Sequence, residues 1–355
     1  MNLPSISIIV PVYNVESYVE ACLLSVMHQT YQGEMECIVV DDCGTDQSMA
    51  VVEDLISKDN GPISFKVLRH EKNRGLSAAR NTGMDAARGV YFFFLDSDDE
   101  LVDDCIEKMA NPLKTERYDI IVGNTRKIDE LNNVVYPEVF LKIPDNKLLR
   151  GYKILQALVM RDWMIAVWNK LYLADFIRRH QLRFTEGIIF EDVLWSFKAA
   201  CVSSSLFSVN QITYIYKKRD SSIINSSSVE KRINSYSVNV IEMKKFVNDI
   251  GIYNESVHEY IQDFFHEALC LCSFRQFVDN YRKMRPNIEP SLKQLKNVDR
   301  KYKLKRLRDF HYYIPINIAP YWHFFLYSFM VLFLKCLNKM HLRHDSRNRL
   351  VWLNN

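Results

Sequence analysis

The sequence predicts an α/β fold, with a mainly parallel sheet flanked by helices and a helical C-terminal region. The chain has 355 residues, of which 48% are hydrophobic and 25% charged, enough to bury one large core and a smaller subdomain. Over the first 123 residues, short apolar runs alternate with segments of helical periodicity. After Ser226, two further stretches at about 229–248 and 255–280 read as helices.

Five short apolar runs are predicted to form the strands of the sheet. They cover residues 5–10, 36–41, 64–69, 90–95 and 118–122. Residues 15–29 carry apolar side chains at i, i+3, i+4 and i+7, which predicts a core-facing helix with Asn14 as its N-cap. A second helix is predicted to begin at Asp46 and a third to span about 77–87. Each returns the chain to the next strand.

The regular pattern loosens between about residues 124 and 225. Turns are expected at Pro137, Pro144 and Gly187, and a helix near residues 151–161. We therefore predict one domain over residues 1–225, with halves at 1–123 and 124–225. A helical region then follows over residues 226–355.

Charge and cysteine usage exclude several classes of function. The formal net charge of +3 gives no general support for binding nucleic acid. The eight cysteines form no C-x-x-C pair, so reduced thiols are favoured over a zinc site. The first apolar stretch is short, contains Ser7 and Pro11, and has no basic residue before it, so no secretory signal is predicted and a cytoplasmic location is expected.

An acidic cluster follows the fourth predicted strand directly, in the run Asp96-Ser-Asp-Asp-Glu100. Ligands bind at the carboxyl ends of strands in open α/β sheets, and two carboxylates there suit Mg²⁺ or Mn²⁺ together with diphosphate oxygens. In one alternative, Asp98, Asp99 and Glu100 cap a helix that starts near Leu101. An EF-hand calcium loop is excluded because Leu101 stands where that loop needs glycine.

Four strings in order carry a family resemblance: SIIVPVYN at 7–14, VDDCGTD at 40–46, NRGLSAARN at 73–81 and FLDSDD at 94–99. Together they resemble the inverting family-2 glycosyltransferases over about the first 125 residues. FEDV at 190–193 and the run YIYKKRDSSI at 214–223 look like later parts of the same pattern. The last third is only loosely similar to membrane-associated members that build bacterial cell-surface polysaccharides.

The resemblance implies a GT-A fold that binds a nucleotide sugar, usually a UDP-sugar, in the half at 1–123. The half at 124–225 would then shape the acceptor side. By position, Pro11 and Tyr13 would frame the uracil and Asp42 would accept a hydrogen bond from it. Asn73 and Arg80 would line the nucleotide pocket. Ordinary packing for Tyr13 and a surface ion pair for Arg80 are the alternatives.

Sugar transfer develops negative charge on the leaving diphosphate, which a divalent cation can neutralise. The resemblance makes Asp98 the metal ligand, with Asp96 supporting it or binding the ribose. Arg219 and Ser222 match the Arg-x-x-Ser element that would close over the diphosphate. In the alternative, Arg219 belongs with Lys217 and Lys218 to a solvated basic turn.

The acceptor hydroxyl must lose its proton as it attacks, so a carboxylate base is expected. Asp192 fits that need, with Glu191 beside it, and a separate base implies inversion of the anomeric configuration. The alternative is that both carboxylates occupy the first turn of a helix leading to Ala200, where the helix dipole favours them.

Residues 321–334 (YWHFFLYSFMVLFL) form an apolar run near the C-terminus. A membrane-spanning helix needs about 20 apolar residues, so an interfacial position is expected instead. Basic residues on both sides of the run, within about 300–350, would attract anionic lipid. We therefore expect peripheral attachment to the inner face of the cell membrane and an acceptor such as an undecaprenyl-diphosphate-linked saccharide. A C-terminal helix buried against the domain is the alternative.

Two other functions compete with sugar transfer. A sugar nucleotidyltransferase lacks support because neither G-x-G-x-x-G nor a Walker motif occurs. A non-catalytic nucleotide-sugar-binding membrane protein would have no need of a second carboxylate pair at Glu191 and Asp192 beside the first.

Overall fold

The structure is a computed structural model that describes residues 3–129, 134–136, 140–218 and 227–252, with 257–258, 260–262, 264 and 282. The chain divides into two compact units, Met1–Phe264 and Phe265–Asn355. All elements named below lie in the first unit. The predicted division at residue 225 stays a prediction.

In the described part of the chain, ten strands form one sheet. They are β1 Ile6–Val12, β2 Met35–Asp41, β3 Ser64–Arg69, β4 Tyr91–Phe94, β5 Glu100–Leu101, β6 Ile120–Asp129, β7 Val134–Tyr136, β8 Lys147–Arg150, β9 Lys170–Leu173 and β10 Ser205–Lys217. Their order in the sheet is β3-β2-β1-β4-β9-β6-β10-β5, with β7 paired to β6 and β8 to β10.

The N-terminal half of this sheet is parallel. Strand β1 runs parallel to both β2 and β4, with Ile9 opposite Ile38 on one side and Phe94 on the other. Strand β3 extends the parallel set at the edge. All residues of β1 and β4 are buried, as expected for strands covered on both faces. The predicted α/β class is confirmed.

The second half of the chain continues the same sheet. Strand β9 inserts between β4 and β6 and is antiparallel to both. Strands β6 and β10 are parallel to each other, and β10 also pairs with β5 immediately after the acidic cluster. Residues from about 124 onward therefore build one edge of the site.

Helices cover both faces of the sheet. They are α1 Val19–Met27, α2 Ser48–Lys58, α3 Leu76–Ala86, α4 Cys105–Ala110, α5 Tyr152–Val159, α6 Ala174–Arg179, α7 Glu191–Val202 and α8 Val229–Asp249, and a short 3₁₀ helix covers Asn111–Lys114. Ile8 of β1 packs in one core with Cys22 and Leu23 of α1. On the opposite face, a Cβ at Gly83 of α3 would lie 2.4 Å from Ile9 Cγ2, so glycine permits this close approach.

The structure contradicts one expectation and one alternative about helix starts. Helix α1 begins at Val19, and Asn14 does not cap it. Asn14 instead has φ 52° and accepts a hydrogen bond from the Thr45 amide at 2.7 Å, so its side chain holds the loop after β2. No helix starts near Leu101, because that residue pairs with Tyr214 in the sheet and α4 begins only at Cys105.

Among the described residues, every helix is either too short or too polar to cross a lipid bilayer. The predicted apolar run at 321–334 and its basic flanks lie outside the described residues, as does most of the helix predicted at 255–280.

Candidate active site

The acidic cluster lies where β4 ends, beside the end of β10. Asp96, Asp98 and Asp99 each offer a carboxylate oxygen, and these oxygens all lie within 4.8 Å of one another. Asp96 and Asp98 are half-buried, whereas Asp99 is 1% exposed. The predicted placement of an acidic group at a strand end is therefore present in the structure.

Asp99 holds the cluster to β10. Its carboxylate accepts hydrogen bonds from the Tyr214 hydroxyl at 2.7 Å and from the Lys217 amide at 2.9 Å. Burial raises the pKa of Asp99 well above its usual value, and the charges of Asp98 and Asp96 add to that effect. Asp99 thus has a structural task, which leaves Asp96 and Asp98 as the pair suited to a ligand.

The residues at this position fit a hard divalent cation. Carboxylate oxygens are the ligands that Mg²⁺ and Mn²⁺ prefer. Asp96 uses Oδ1 to accept from Arg80 at 2.7 Å, so its other oxygen is the one that could face a cation together with Asp98.

Arg80 joins the two acidic motifs. One terminal nitrogen donates to Asp96 at 2.7 Å and the other donates to Glu191 at 2.6 Å. The residue is 2% exposed, so this is a buried ion pair and not the surface pair considered as an alternative. Although burial disfavours the guanidinium charge, the carboxylates of Asp96 and Glu191 raise the pKa of Arg80.

Glu191 and Asp192 lie in the first turn of α7, as the alternative for this pair predicts. Glu191 nevertheless faces the site, because it is bonded to Arg80. Asp192 lies close enough to be affected by the charges of Arg80 and Asp96. Burial and, to a smaller extent, the charge of Glu191 raise the pKa of Asp192, which Arg80 partly opposes, and the result is a pKa of about 7. A carboxylate with that pKa can take a proton near neutral pH.

Lys170, which the sequence interpretation did not include, is buried within range of the Asp192 charge. It is 1% exposed and donates hydrogen bonds to the carbonyls of Ala166 and Trp168. Burial lowers the pKa of Lys170 to about 7, while the charge of Asp192 opposes that shift. The signal in the sequence is a single charge in the run VWNKLY at 167–172, where four of the six residues are apolar or aromatic.

The residues predicted to hold the nucleoside lie at the ends of neighbouring parallel strands. Pro11 is buried within β1, and Tyr13 just beyond the strand is 47% exposed. The Asp42 amide donates to the Val12 carbonyl at 3.0 Å, which brings the ends of β1 and β2 together. Asn73 is exposed in the loop before α3.

Asp42 is 3% exposed and is already heavily hydrogen-bonded by the protein. Its Oδ1 lies 2.6 Å from His70 Nδ1 and accepts from the Arg74 amide at 2.8 Å, and its Oδ2 accepts from the Gly75 amide at 2.7 Å. A carboxylate has about four acceptor sites. The described partners occupy three of these sites, two on Oδ1 and one on Oδ2.

Arg219 and Ser222 lie outside the described residues. The alternative for Arg219 was a solvated basic turn that also contains Lys217 and Lys218. The side chain of Lys217 is paired with Glu100 and is only 14% exposed. Lys218 is paired with Asp129 at 3.1 Å. Lys217 is therefore held against the acidic cluster and is not a solvated charge.

The chain is similar to known glycosyltransferases over much of its length. The family model for "Glycosyl transferase family 2" matches residues 7–167. EpsH of Bacillus subtilis is 30% identical over 277 residues, which are 76% of this chain and 77% of EpsH. Glycosyltransferase GlyA of Streptococcus pneumoniae is 33% identical over 223 residues, 61% of this chain, and the match spans only 31% of GlyA.

A solved structure shares the fold. The crystal structure of S. aureus TarS 1–349 in complex with UDP-GlcNAc superimposes with a TM-score of 0.62 at 20% identity, covering 80% of this chain and 83% of that one. The mixed α/β sheet with its flanking helices is therefore the GT-A fold. Because EpsH is similar over most of both chains and the family model covers the parallel half of the sheet, this chain belongs to glycosyltransferase family 2.

Proposed function

We propose that this protein transfers a sugar from a nucleotide sugar to an acceptor hydroxyl with inversion of configuration. The observation that carries the proposal is the buried bridge in which Arg80 contacts Asp96 and Glu191 at once. This bridge brings the acidic cluster after β4 and the acidic turn of α7 into one site. Sugar transfer needs both, one beside the leaving diphosphate and one beside the acceptor.

The proposed donor is a UDP-sugar. Pro11 and Tyr13 would frame the uracil, Asn73 would line the pocket, and Asp42 would accept from the base through Oδ2. The fold match to TarS, whose crystal structure contains UDP-GlcNAc, supports this class of donor. Arg219 and Ser222 are proposed, from the sequence alone, to contact the diphosphate.

Asp98, supported by Asp96, is the proposed site for Mg²⁺ or Mn²⁺. When bound there, a divalent cation neutralises charge that develops on the leaving diphosphate. Arg80 keeps the Asp96 carboxylate in place and offsets the negative charge of the cluster. Asp99 anchors the cluster to β10.

Asp192 is the proposed base. Glu191, through its bond to Arg80, is proposed to hold the first turn of α7 in position. The acceptor oxygen attacks the anomeric carbon, the bond from that carbon to the diphosphate oxygen breaks, and the acceptor proton moves to Asp192. A single displacement of this kind inverts the anomeric centre. Support comes from the raised pKa of Asp192, about 7, and from the engagement of Glu191 with Arg80.

The acceptor is proposed to be a saccharide on a lipid diphosphate, reached at the cytoplasmic face of the membrane. Support comes from the sequence, in which the apolar run at 321–334 has basic residues on both sides. An interfacial segment would hold the protein at the membrane that contains such a substrate.

A panel of UDP-, GDP- and dTDP-sugars tests the proposed function. We expect metal-dependent release of the nucleotide from one UDP-sugar, and an NMR spectrum of the transfer product that shows inverted configuration. Binding without turnover would favour the non-catalytic alternative, and release of pyrophosphate from a nucleoside triphosphate and a sugar phosphate would favour the nucleotidyltransferase. Retained configuration would contradict the single displacement.

A further inference from the structure

The chain takes an unusual conformation immediately before the acidic turn of α7. Phe190, the residue that precedes Glu191, has φ 61° and ψ 34°, in the left-handed region. A non-glycine residue is disfavoured there and persists only when its surroundings hold it. The direction in which α7 starts, and with it the position of Asp192, therefore depends on what fixes Phe190.

Helix α8 fixes this residue from outside the sheet. Asn239 donates from Nδ2 to the Phe190 carbonyl at 2.9 Å, and Ser235 Oγ accepts from the Ile189 amide at 3.0 Å. The rings of Phe190 and Tyr236 are 4.7 Å apart. Three residues on one face of α8 thus contact two consecutive residues next to the proposed base.

The Asn239 side chain is buried, with 0% exposure, and its Oδ1 has no hydrogen-bond partner within the described part of the chain. A buried amide that leaves one end unsatisfied is unfavourable for packing alone. A leucine, which is similar in size, would fill this position without a buried unsatisfied oxygen. The bond from Asn239 to the Phe190 carbonyl is therefore the reason for an amide here.

We propose that α8 is the positioning element for the base, with Asn239 and Ser235 as its positioning residues. This rests on the proposed function of Asp192. By holding Phe190 in its left-handed conformation, the two side chains set the direction of the first turn of α7. Because their contacts are with Phe190 and Ile189 and not with the proposed donor-binding residues, we expect an effect on the rate of the chemical step and not on donor binding.

The chain offers a matched control two residues away. Ser235 and Ser237 are both buried on α8, and each donates its hydroxyl to the carbonyl four residues earlier. Only Ser235 also accepts from the loop before α7. Ser235→Ala and Ser237→Ala therefore cost the helix the same internal bond and differ in the contact to Ile189.

The test compares S235A, N239L, S237A and D192N in the full chain, by donor turnover, donor affinity and amide hydrogen exchange. We expect S235A and N239L to lower kcat by roughly 10- to 100-fold with the donor KM unchanged, as displacement of a reacting group does. In S235A the Ile189 amide should exchange faster. S237A should keep wild-type kcat and Ile189 protection.

If S235A and N239L kept the wild-type kcat while D192N was inactive, the positioning role would be wrong and the proposed base would stand. An equal fall of kcat in S237A would also overturn it, because loss of helix stability would then explain the effect. Unchanged Ile189 exchange in S235A would contradict the contact itself. An active D192N would instead show that the proposed base is wrong, and the inference would fall with it.

Discussion

Arg80 shows how one side chain can organise a site from distant parts of the chain. It is separated by 16 residues from Asp96 and by 111 from Glu191, yet it is bonded to both. A buried cation between carboxylates is stable only when its partners are well placed, since removal of one leaves an uncompensated charge. The bridge therefore fixes the distance between the two acidic motifs.

The pH dependence of turnover follows from Asp192. Its carboxylate must be deprotonated to accept a proton, and its pKa is raised to about 7. We therefore expect kcat/KM to rise with pH up to about 7 and then to level off, because this quantity reports the free enzyme. The measurement is a pH profile for the wild type, with D192N as the inactive variant.

Asp175→Asn is the matched control for this profile. Asp175 is likewise an acidic residue in the first turn of a helix, but it is exposed and paired with Arg178. Its replacement should leave the profile unchanged. A profile that is flat between about pH 5 and 8 would count against a base whose pKa is raised to about 7.

The sequence predicted which carboxylates form the proposed site but not how they are held. The motif strings give Asp96, Asp98, Glu191 and Asp192 by position. The local pattern around Lys170 and Arg80 contains no sign of what each contacts, since those partners arrive through tertiary packing.

Strand β10 is the element that holds the acidic cluster in place. Tyr214 on this strand donates to Asp99 at 2.7 Å, and its ring stacks on Trp168 at 4.6 Å. We expect Tyr214→Phe to keep the stacking and to lower the free energy of unfolding by about 1–3 kcal/mol, because a buried carboxylate loses a donor. Denaturant unfolding measures the change.

Tyr152→Phe serves as the comparison for Tyr214→Phe. Tyr152 is 46% exposed on α5, so its replacement should alter stability by less than about 0.5 kcal/mol. Equal effects of the two substitutions would contradict a specific role for the bond to Asp99.

Element boundaries were predictable where they depend on local pattern. Strand β3 occupies the predicted residues, Ser64–Arg69, and helix α3 differs by one residue at each end. The start of α1 was wrong because the Asn14 side chain is used by another loop. Strand β9 was missed because its four residues, Lys170–Leu173, carry too little periodicity to identify a strand.

For the whole molecule, the sequence predicts attachment to an anionic membrane surface. Each basic residue near such a surface contributes about 1 kcal/mol. We expect the full chain to sediment with vesicles that contain anionic lipid. Replacement of six basic residues by glutamine should abolish this: Arg300, Lys301, Lys303, Lys305, Arg306 and Arg308.

A second variant controls for net charge. It replaces six exposed basic residues of the described part of the chain: Lys58, Lys114, Lys147, Lys153, Arg178 and Lys245. This variant should sediment like the wild type. If both variants lost vesicle binding, general charge and not the C-terminal segment would account for it. If both kept vesicle binding, the six C-terminal basic residues would not be needed for it.

The fold class follows from the sequence because alternating strands and helices constrain a parallel sheet to few topologies. The second half of the sheet was less predictable, since β9 and β10 return to the first half across long sequence separations. Both nevertheless contribute to the site, β10 through Tyr214 and β9 through Lys170.

The central claim is that Asp98 makes a divalent cation part of donor binding at the acidic cluster. Calorimetry of UDP-sugar binding with Mn²⁺ and with EDTA tests it most directly, on the wild type, D98A and the exposed control D103A. We predict Mn²⁺-dependent binding in the wild type and in D103A, and loss of the Mn²⁺ dependence in D98A with the fold intact. Equal donor affinity in EDTA and Mn²⁺, or an unchanged Mn²⁺ dependence in D98A, would contradict the account.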